Sequence, residues 1–312
     1  MNSLPGPALL PSGVARLTHL GVIRAAGADA ATFLQNQLTQ DVARLPAGGT
    51  RLAAWCNPKG RMLASFWVHR RGEDELLLLI SQDLLARTLQ RLSMFVLRAK
   101  LKLTDASAEF MVHGLIGDAT DFGASDPDSI KDGSQKDHKI LKLALPASDG
   151  LPRALRLAPA GAPAPSGTAL SEADWLLAEV RSGIARITQP VAEAFVPQML
   201  NYESVGGVDF KKGCYPGQEV VARSQFRGAI KRRAFVGQVQ GQAQTGQEVF
   251  DLADLAQPVG LLAQTAPARD GSTAVIASIQ LPARASAALC VGTLDGPRLG
   301  DLHLPYPLLE DV

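Results

Sequence analysis

Residues 211–223 read Lys-Lys-Gly-Cys-Tyr-Pro-Gly-Gln-Glu-Val-Val-Ala-Arg, and this cysteine segment decides how the whole chain is interpreted. Tyr-Pro-Gly predicts a tight turn, because proline presets φ and glycine accepts a positive φ. The turn would hold the Cys214 sulfur at an exposed bend. Lys211, Lys212 and Arg223 would favour its thiolate, which is the reactive form. Free cysteine is often a small buried apolar residue, but these polar, glycine-flanked surroundings favour a reactive thiol.

The bulk composition is that of an ordinary globular protein. The chain has 312 residues, of which 46% are hydrophobic, and a formal net charge of +1, so two or three modules are expected. No uncharged apolar run approaches the roughly 18 residues that span a bilayer, and the N-terminus lacks the pattern of a secretory signal. The three cysteines form neither a zinc pattern nor a disulfide framework, and the five histidines lack ligand spacing. These features predict a cytoplasmic protein with no metal site and no membrane partner.

Charge is concentrated near the cysteine segment. Seven positive residues and one negative residue lie within residues 211–233, which gives a local charge of +6. Such a cluster would attract phosphates, polycarboxylates or acidic protein surfaces. A solvated edge at a domain boundary is the alternative interpretation. Nucleic acid remains a less favoured partner, because the cluster lacks the interleaved aromatic residues of a single-strand platform.

The hydrophobic pattern changes along the chain. Residues 20–24, 51–56, 62–70 and 75–80 have the pattern of strands, and residues 29–38 and 83–97 that of helices, with Asp29 as a cap. Beyond Arg233 only short strands separated by turns are indicated. We therefore divide the chain into an α+β unit at residues 1–105, a second α+β unit at 106–233 and an all-β unit at 234–312.

The cysteine segment resembles the signature of the YgfZ-type proteins. These are relatives of the glycine-cleavage T-protein that bind folate and support iron–sulfur enzymes. The resemblance extends over roughly residues 17–235. Further matching positions are Phe33 to Thr39, Asp41-Val42, Cys56 to Arg61, Phe95 to Leu101, Phe195, Pro197-Gln198, Asn201, Gly206-Gly207-Val208 and Phe210.

The resemblance implies the T-protein fold and the family's function. The fold would consist of two intertwined ferredoxin-like α+β units and a small C-terminal β-barrel around a central channel that takes tetrahydrofolate. The expected function is folate binding in support of the assembly or repair of iron–sulfur enzymes, with iron–sulfur client or assembly proteins as partners. Two alternatives stay open. One is a folate-dependent aminomethyl- or methyltransferase, and the other is a binding protein linked to tRNA or RNA modification.

The resemblance also assigns residues to the site. Cys214 would be the reactive thiol and Lys212 its activating partner. The remaining positions of the cysteine segment that would shape its loop are Gly213, Tyr215, Gly217, Gln218, Glu219 and Arg223. Positions expected to contact folate are Gln37, Asp41, Lys59, Arg61, Arg181, Gln198 and Asn201.

Two departures from the T-protein pattern affect the expected chemistry. An Asp-Asp pair that positions folate for aminomethyl transfer there corresponds to Ala64 and Ser65 here, and neither can act as a carboxylate acid or base. Aminomethyltransferase activity is therefore disfavoured. A pterin-binding glutamate of many relatives corresponds to Arg181, and Glu179 lies two residues earlier, on another face of the helix.

Overall fold

The computed structural model describes residues 10–121, 129–130, 138–226, 230–254 and 257–309. The strands are β1 (Gly13–Arg16), β2 (Leu20–Ala26), β3 (Thr50–Cys56), β4 (Met62–Arg70), β5 (Glu75–Ser81), β6 (Lys102–Asp105), β7 (Phe110–Ile116), β8 (Ser129–Ile130), β9 (His138–Lys139), β10 (Leu141–Ser148), β11 (Leu151–Pro159), β12 (Ala169–Leu170), β13 (Arg232–Val239), β14 (Glu248–Asp251), β15 (Gly260–Pro267), β16 (Thr273–Gln280), β17 (Leu289–Val291) and β18 (Leu299–His303). The α-helices are α1 (Ala30–Gln35), α2 (Gln82–Ser93), α3 (Glu172–Arg181) and α4 (Gln218–Phe226). Short 3₁₀ helices lie at Ser107–Glu109, Gly117–Thr120, Gln189–Val191, Pro197–Leu200 and Leu281–Ala285.

The first sheet has the strand order β3-β4-β5-β2-β6, and all its pairings are antiparallel. Its centre is β5, where Leu76 to Ile80 are all buried. Such a run of consecutive apolar residues is what a strand covered on both faces requires, since successive side chains point to opposite faces. The helix α2 packs on this sheet through Leu84, Leu85, Thr88 and Leu92, which recur at helical spacing.

The second sheet has the order β10-β11-β7-β1-β12. Its strand β1 precedes the whole first sheet in sequence, yet it pairs antiparallel with β7 and parallel with β12. The two α+β sheets are thus intertwined, as the family resemblance implied. Residues 13–16 lie in the second sheet, although the sequence pattern places them in the first unit.

A glycine in β7 lets α3 approach the second sheet. A Cβ atom on Gly114 would lie 2.5 Å from Cδ2 of Trp175, which is fully buried. The other side of α3 contacts β15 and β16, so the helix lies between the second sheet and the C-terminal strands. Elements from distant parts of the chain therefore meet at α3.

The C-terminal sheet has the order β17-β14-β15-β16-β13-β18. It curls so that its two edges meet at a bridge between Cys290 and Arg298, with a backbone hydrogen bond of 3.1 Å from Val291 N to Pro297 O. A separate apolar cluster, which includes Phe235, Leu262 and several valines, fills its interior. This curled sheet corresponds to the small barrel expected from the short strands.

The helix ends differ from the sequence prediction. The helix predicted for residues 29–38 ends at Gln35, and the one predicted for 83–97 ends at Ser93. Asp29 is the N-cap residue of α1, as predicted, but its carboxylate accepts a hydrogen bond of 2.6 Å from Lys100 N and none from its own helix. None of the described helices is long and apolar enough to cross a membrane.

The first testable prediction follows from the contact between Gly114 and Trp175. Gly114→Ala should lower the free energy of unfolding by about 1–3 kcal/mol, because the added methyl group overpacks a rigid indole. Gly72→Ala is the matched control, since no atom lies within 4 Å of its added Cβ, and it should change stability by less than about 0.5 kcal/mol. Urea unfolding of the two variants measures both values. Equal midpoints would contradict the packing described for α3.

Candidate functional site

The cysteine segment is anchored to the first sheet by a buried lysine. Lys212 is only 8% exposed, and its ammonium group donates hydrogen bonds to the carbonyl oxygens of Gln35 and, at 2.7 Å, of Leu38. Gln35 is the last residue of α1, where carbonyl groups lack partners within the helix and a positive charge is favourable. The same ammonium lies 4.7 Å from the centre of the Tyr215 ring, in reach of a cation–π interaction.

Burial lowers the pKa of this lysine. Removal from water lowers the pKa of Lys212 to about 8, although the negative charges of Asp41 and Asp209 act in the opposite direction. The ammonium is therefore retained at neutral pH because its carbonyl partners and the nearby carboxylates compensate for lost hydration. Its first structural role is to fasten the segment to the end of α1.

A glycine forms the second attachment of the segment. Gly217 has φ +80°, and a Cβ atom there would collide with the carbonyl oxygen of Asn57 and lie 2.8 Å from Cα of Gly60. The turn between β3 and β4 is itself held by Asn57, whose side-chain oxygen accepts hydrogen bonds from the backbone N–H groups of Lys59 and Arg61. The two turns thus pack backbone to backbone, which only glycine at residue 217 permits.

The thiol lies between these two attachments and faces solvent. Cys214 is exposed, whereas Cys56 and Cys290 are buried, and burial raises the pKa of Cys56 to about 12. The exposed bend predicted for Cys214 is confirmed. The neighbouring Gly213 is also exposed, and no atom lies within 4 Å of the position that its Cβ would take.

The rest of the segment completes this arrangement. Tyr215 is buried beneath Lys212, and burial raises the pKa of its hydroxyl above the usual range. Gln218 begins α4, and one turn of this helix carries the exposed ion pair of Glu219 and Arg223 at 3.2 Å. Exposed pairs of this kind contribute little to stability.

Four residues expected to contact folate lie around the segment. Gln37 and Asp41 follow the end of α1, and a side-chain oxygen of Gln37 is buried without a hydrogen-bond partner. The Asp41 carboxylate accepts a hydrogen bond of 3.1 Å from the backbone of Arg44. In the β3–β4 turn, Lys59 is exposed, whereas the Arg61 guanidinium donates to the carbonyl oxygen of Ala194.

The other three expected folate contacts are engaged elsewhere. The Gln198 amide donates a hydrogen bond of 2.7 Å to the carbonyl oxygen of Val221 and so holds α4. Asn201 is fully buried with φ +57°, and its amide bonds both backbone groups of Ala234. Arg181 forms an ion pair of 3.0 Å with Asp149. These three side chains therefore stabilise contacts between different parts of the fold.

The basic residues around the segment do not form one continuous surface. Arg233 is buried in an ion pair with Glu203, and Lys212 is buried as described above. Lys211 and Lys231 remain exposed, as does Arg223 in its surface pair. Arg227 lies outside the described residues. The sequence overstates the positive surface, because burial of a cation depends on partners that are not its neighbours along the chain.

A cluster that the sequence does not reveal occupies the junction of the three sheets. The carboxylate of Glu179, on α3, accepts a hydrogen bond of 3.0 Å from the Gln264 amide and lies 3.4 Å from the Arg186 guanidinium. His19 Nε2 lies 3.9 Å away. Burial alone would raise the pKa of Glu179, but Arg186 and His19 outweigh it and hold this pKa far below its usual range. The carboxylate is therefore ionised at neutral pH.

Two hollows adjoin this cluster. A narrow cavity of about 20 Å³, lined by Ser65, Tyr202 and Glu179 among others, has room for a water molecule. A cleft of about 470 Å³ lies beside it, and Arg186 lines both. His19, Gln82 and Gln264 belong to the cleft wall, whereas Cys214 lines neither hollow. The cleft is therefore built from all three parts of the chain.

Two polar atoms of the cluster lack hydrogen-bond partners. His19 Nε2 and Arg186 Nε are both buried and unpaired in the structure. Such groups are rare because each forfeits its hydration without compensation, and here they belong to residues that line the cleft. Only Glu179 could have been noticed from the sequence, as a carboxylate within an apolar helix. Gln264 comes from a strand 85 residues further along the chain and has no local signal.

The amino-acid sequence of this chain is similar to the sequences of known proteins. The family model for the GCVT N-terminal domain matches residues 11–120. An uncharacterized protein of Haemophilus influenzae is 31% identical over 238 residues, which are 75% of this chain and 76% of that protein.

Proteins named tRNA-modifying protein YgfZ are also similar. That of Edwardsiella ictaluri is 30% identical over 239 residues, covering 72% of this chain and 71% of its own. That of Serratia proteamaculans is 27% identical over 318 residues, covering 97% and 94%.

Among solved structures, the glycine cleavage system aminomethyltransferase T from Bartonella henselae superposes with a TM-score of 0.65 at 12% identity, over 96% of this chain and 87% of that one. This likeness shows that the fold is the T-protein fold, as the resemblance implied. The sequence identities of 31% and 30%, over about three quarters of the chain, show a closer relationship to the Haemophilus influenzae and Edwardsiella ictaluri proteins. The chain belongs to the YgfZ family of proteins with the T-protein fold.

Proposed function

We propose that this protein binds tetrahydrofolate in the cleft beside Arg186 and presents Cys214 as a reactive thiol in support of iron–sulfur enzymes. The observation that carries the proposal is the exposed sulfur on a segment fastened at both ends, by buried Lys212 and by Gly217. A merely structural cysteine would be expected to lie in the core, as Cys56 does. Holding an accessible thiol on a rigid support is the requirement of a functional one.

The cleft supports the folate part of the proposal. Its volume of about 470 Å³ falls within the range typical of small-molecule sites. One edge of a pterin carries two hydrogen-bond donors next to an acceptor. Arg186 lines the cleft, and its unpaired Nε–H would donate to that acceptor. The Glu179 carboxylate, which pairs with Arg186 from the adjoining narrow cavity, would accept from the donors. When bound, tetrahydrofolate supplies a carrier for one-carbon units, and these side chains would bind and orient its pterin ring.

Aminomethyl transfer by this chain is disfavoured. Ala64 is buried, and the hydroxyl of Ser65 accepts a hydrogen bond of 2.9 Å from Ile187 N beside the narrow cavity. Both positions therefore lack the carboxylate that such chemistry requires. The relatives' name, tRNA-modifying protein, is compatible with support of an enzyme that modifies tRNA. Direct tRNA binding by residues 211–233 is less favoured, because two of their cations are buried.

The thiol assignment is tested by Cys214→Ser. In the native protein iodoacetamide should add one label to the wild type and none to this variant, because the other two cysteines are buried. In cells that lack the protein, the variant should fail to restore the activity of a dependent iron–sulfur enzyme. Its melting temperature should match that of the wild type, since the side chain is exposed. Restoration at the wild-type level would remove Cys214 from the function.

The folate assignment is tested by thermal unfolding. Tetrahydrofolate at 100 times its dissociation constant should stabilise the wild type by about 2.7 kcal/mol, which is about 5 °C in a chain of this size. Arg181→Gln should keep this shift, because Arg181 pairs with Asp149 and does not line the cleft. Glu179→Gln should abolish it, measured against that variant's own ligand-free melting temperature. A shift lost in Arg181→Gln and kept in Glu179→Gln would move the pterin site to Arg181.

The role of Lys212 as a buried anchor is tested by pH. Its folded pKa of about 8 lies below its ordinary value of 10.5, so the unfolded chain binds more protons between these pH values. Stability from this group therefore rises as pH increases through that window. The free energy of unfolding of the wild type minus that of Lys212→Met should be larger at pH 9.5 than at pH 7 in urea titrations. A difference that stays constant or falls would mean that the ammonium is not buried.

A further inference from the structure

An exposed apolar loop follows α2. Within this loop, residues 94–97, the exposed fractions are 70% for Met94, 47% for Phe95 and 89% for Leu97. Three of the seven exposed large hydrophobic residues in the described part of the chain thus fall within four consecutive positions. Contiguous exposed apolar groups of this kind mark interaction sites, whereas scattered single ones need no explanation.

The loop is a folded feature with outward-pointing side chains. Backbone hydrogen bonds of 3.0 Å from Phe95 N to Leu92 O and of 2.8 Å from Ala99 N to Val96 O close successive turns. Val96 packs against the main core. Leu97 holds φ +41°, a left-handed conformation that is rare for a non-glycine residue. The left-handed conformation at Leu97, which is part of the loop that exposes these apolar side chains, therefore costs some free energy.

Cations border the apolar loop. Arg98, Lys100 and Lys102 are all exposed, and no salt bridge joins any of them to an acidic residue in the described part of the chain. A surface with three apolar side chains beside three unpaired cations is complementary to an apolar pocket bordered by carboxylates.

A line of contacts joins the apolar loop to the cysteine segment. The guanidinium of Arg91, on the last turn of α2, lies 5.6 Å from the centre of the Trp55 ring. Trp55 pairs with Leu38 in an antiparallel bridge, and the Leu38 carbonyl accepts the hydrogen bond from Lys212. Cys214 follows Lys212 by two positions, with only Gly213 between them. The helix that ends at the apolar loop is thus connected through packed residues to the segment that carries the exposed thiol.

The geometry points to the apolar loop as the docking element for a partner protein with an acidic-bordered apolar pocket. This inference rests on the proposed function, because the partner is the iron–sulfur client or assembly protein that Cys214 serves. Phenylalanine is a common anchor at protein interfaces, and methionine adapts its shape to a partner. RNA fits less well, because Met94 and Leu97 have no π-face on which a base could stack.

The test compares two triple variants with each other. Met94→Ser/Phe95→Ser/Leu97→Ser removes the apolar loop, and Leu281→Ser/Leu294→Ser/Leu309→Ser removes three exposed apolar side chains elsewhere. At equal expression in cells that lack the protein, the loop variant should restore at least about tenfold less iron–sulfur enzyme activity than the wild type, as loss of an interface anchor implies. The control variant should restore it fully. A third variant, Arg98→Glu/Lys100→Glu/Lys102→Glu, should be as defective as the loop variant.

Two measurements on purified protein test whether folate binding and the Cys214 thiol are intact in the loop variant. The loop variant should keep the melting-temperature shift with tetrahydrofolate and the rate of Cys214 labelling by iodoacetamide. Full restoration by the loop variant, together with failure of Cys214→Ser, would overturn the docking inference alone. Full restoration by Cys214→Ser would overturn the proposed function, and with it the identity of the partner.

Other kinds of binding partner for the apolar loop would give distinct results. Loop-dependent flotation with vesicles of an equal mixture of phosphatidylglycerol and phosphatidylcholine would replace the protein partner by a lipid surface. Dimerisation that is lost in the loop variant would make the partner a second copy of this chain. Salt-sensitive binding of bulk tRNA that is lost in the loop variant would make it a nucleic acid. Each of these outcomes would overturn the inference as stated.

Discussion

The hydrogen bonds from the buried Lys212 ammonium to the carbonyl groups at the end of α1 determine where the Cys214 thiol lies. A buried ammonium needs acceptors to replace its water, and a helix end has carbonyl groups that need a donor. Each satisfies the other across a sequence separation of more than 170 residues. With the contact of Gly217 on the β3–β4 turn, this bond sets the path of the chain through Cys214. The lysine therefore positions the thiol, whatever its electrostatic effect on the sulfur.

Several polar residues of the family pattern serve the fold. The stretch around Asn201 joins the C-terminal sheet to the segment after α3. Asn201 bonds Ala234 of that sheet, and the hydroxyl of Tyr202 donates to the carbonyl oxygen of Ala185 at 2.6 Å. Glu203 pairs with Arg233 in the interior. Removing one partner of such a pair leaves a buried charge uncompensated, which is strongly destabilising. Polar signature residues therefore need not be ligand contacts, because intertwined sheets that meet at one junction must satisfy their own buried polar groups.

The same junction creates the cleft. Because α3 lies between the second sheet and the C-terminal sheet, Glu179 reaches both Arg186 and Gln264. Its charge is stabilised by groups that the helix itself does not supply. Cys214 lines neither the cleft nor the narrow cavity beside this ionised cluster. The proposed binding of a small molecule in the cleft and the proposed role of Cys214 would therefore use different surfaces.

Local sequence was sufficient for most secondary structure and for the exposure of Cys214. The hairpin of β3 and β4, the buried run of β5, the short strands after Arg233 and the turn at Tyr-Pro-Gly follow from side-chain alternation and turn chemistry, which act between neighbouring residues. Tertiary structure alone decided that β1 lies in the second sheet, that Lys212 and Arg233 are buried, and that Glu179 meets Arg186 and Gln264. Burial of a charge depends on partners that only folding brings near, so no window of sequence contains that information.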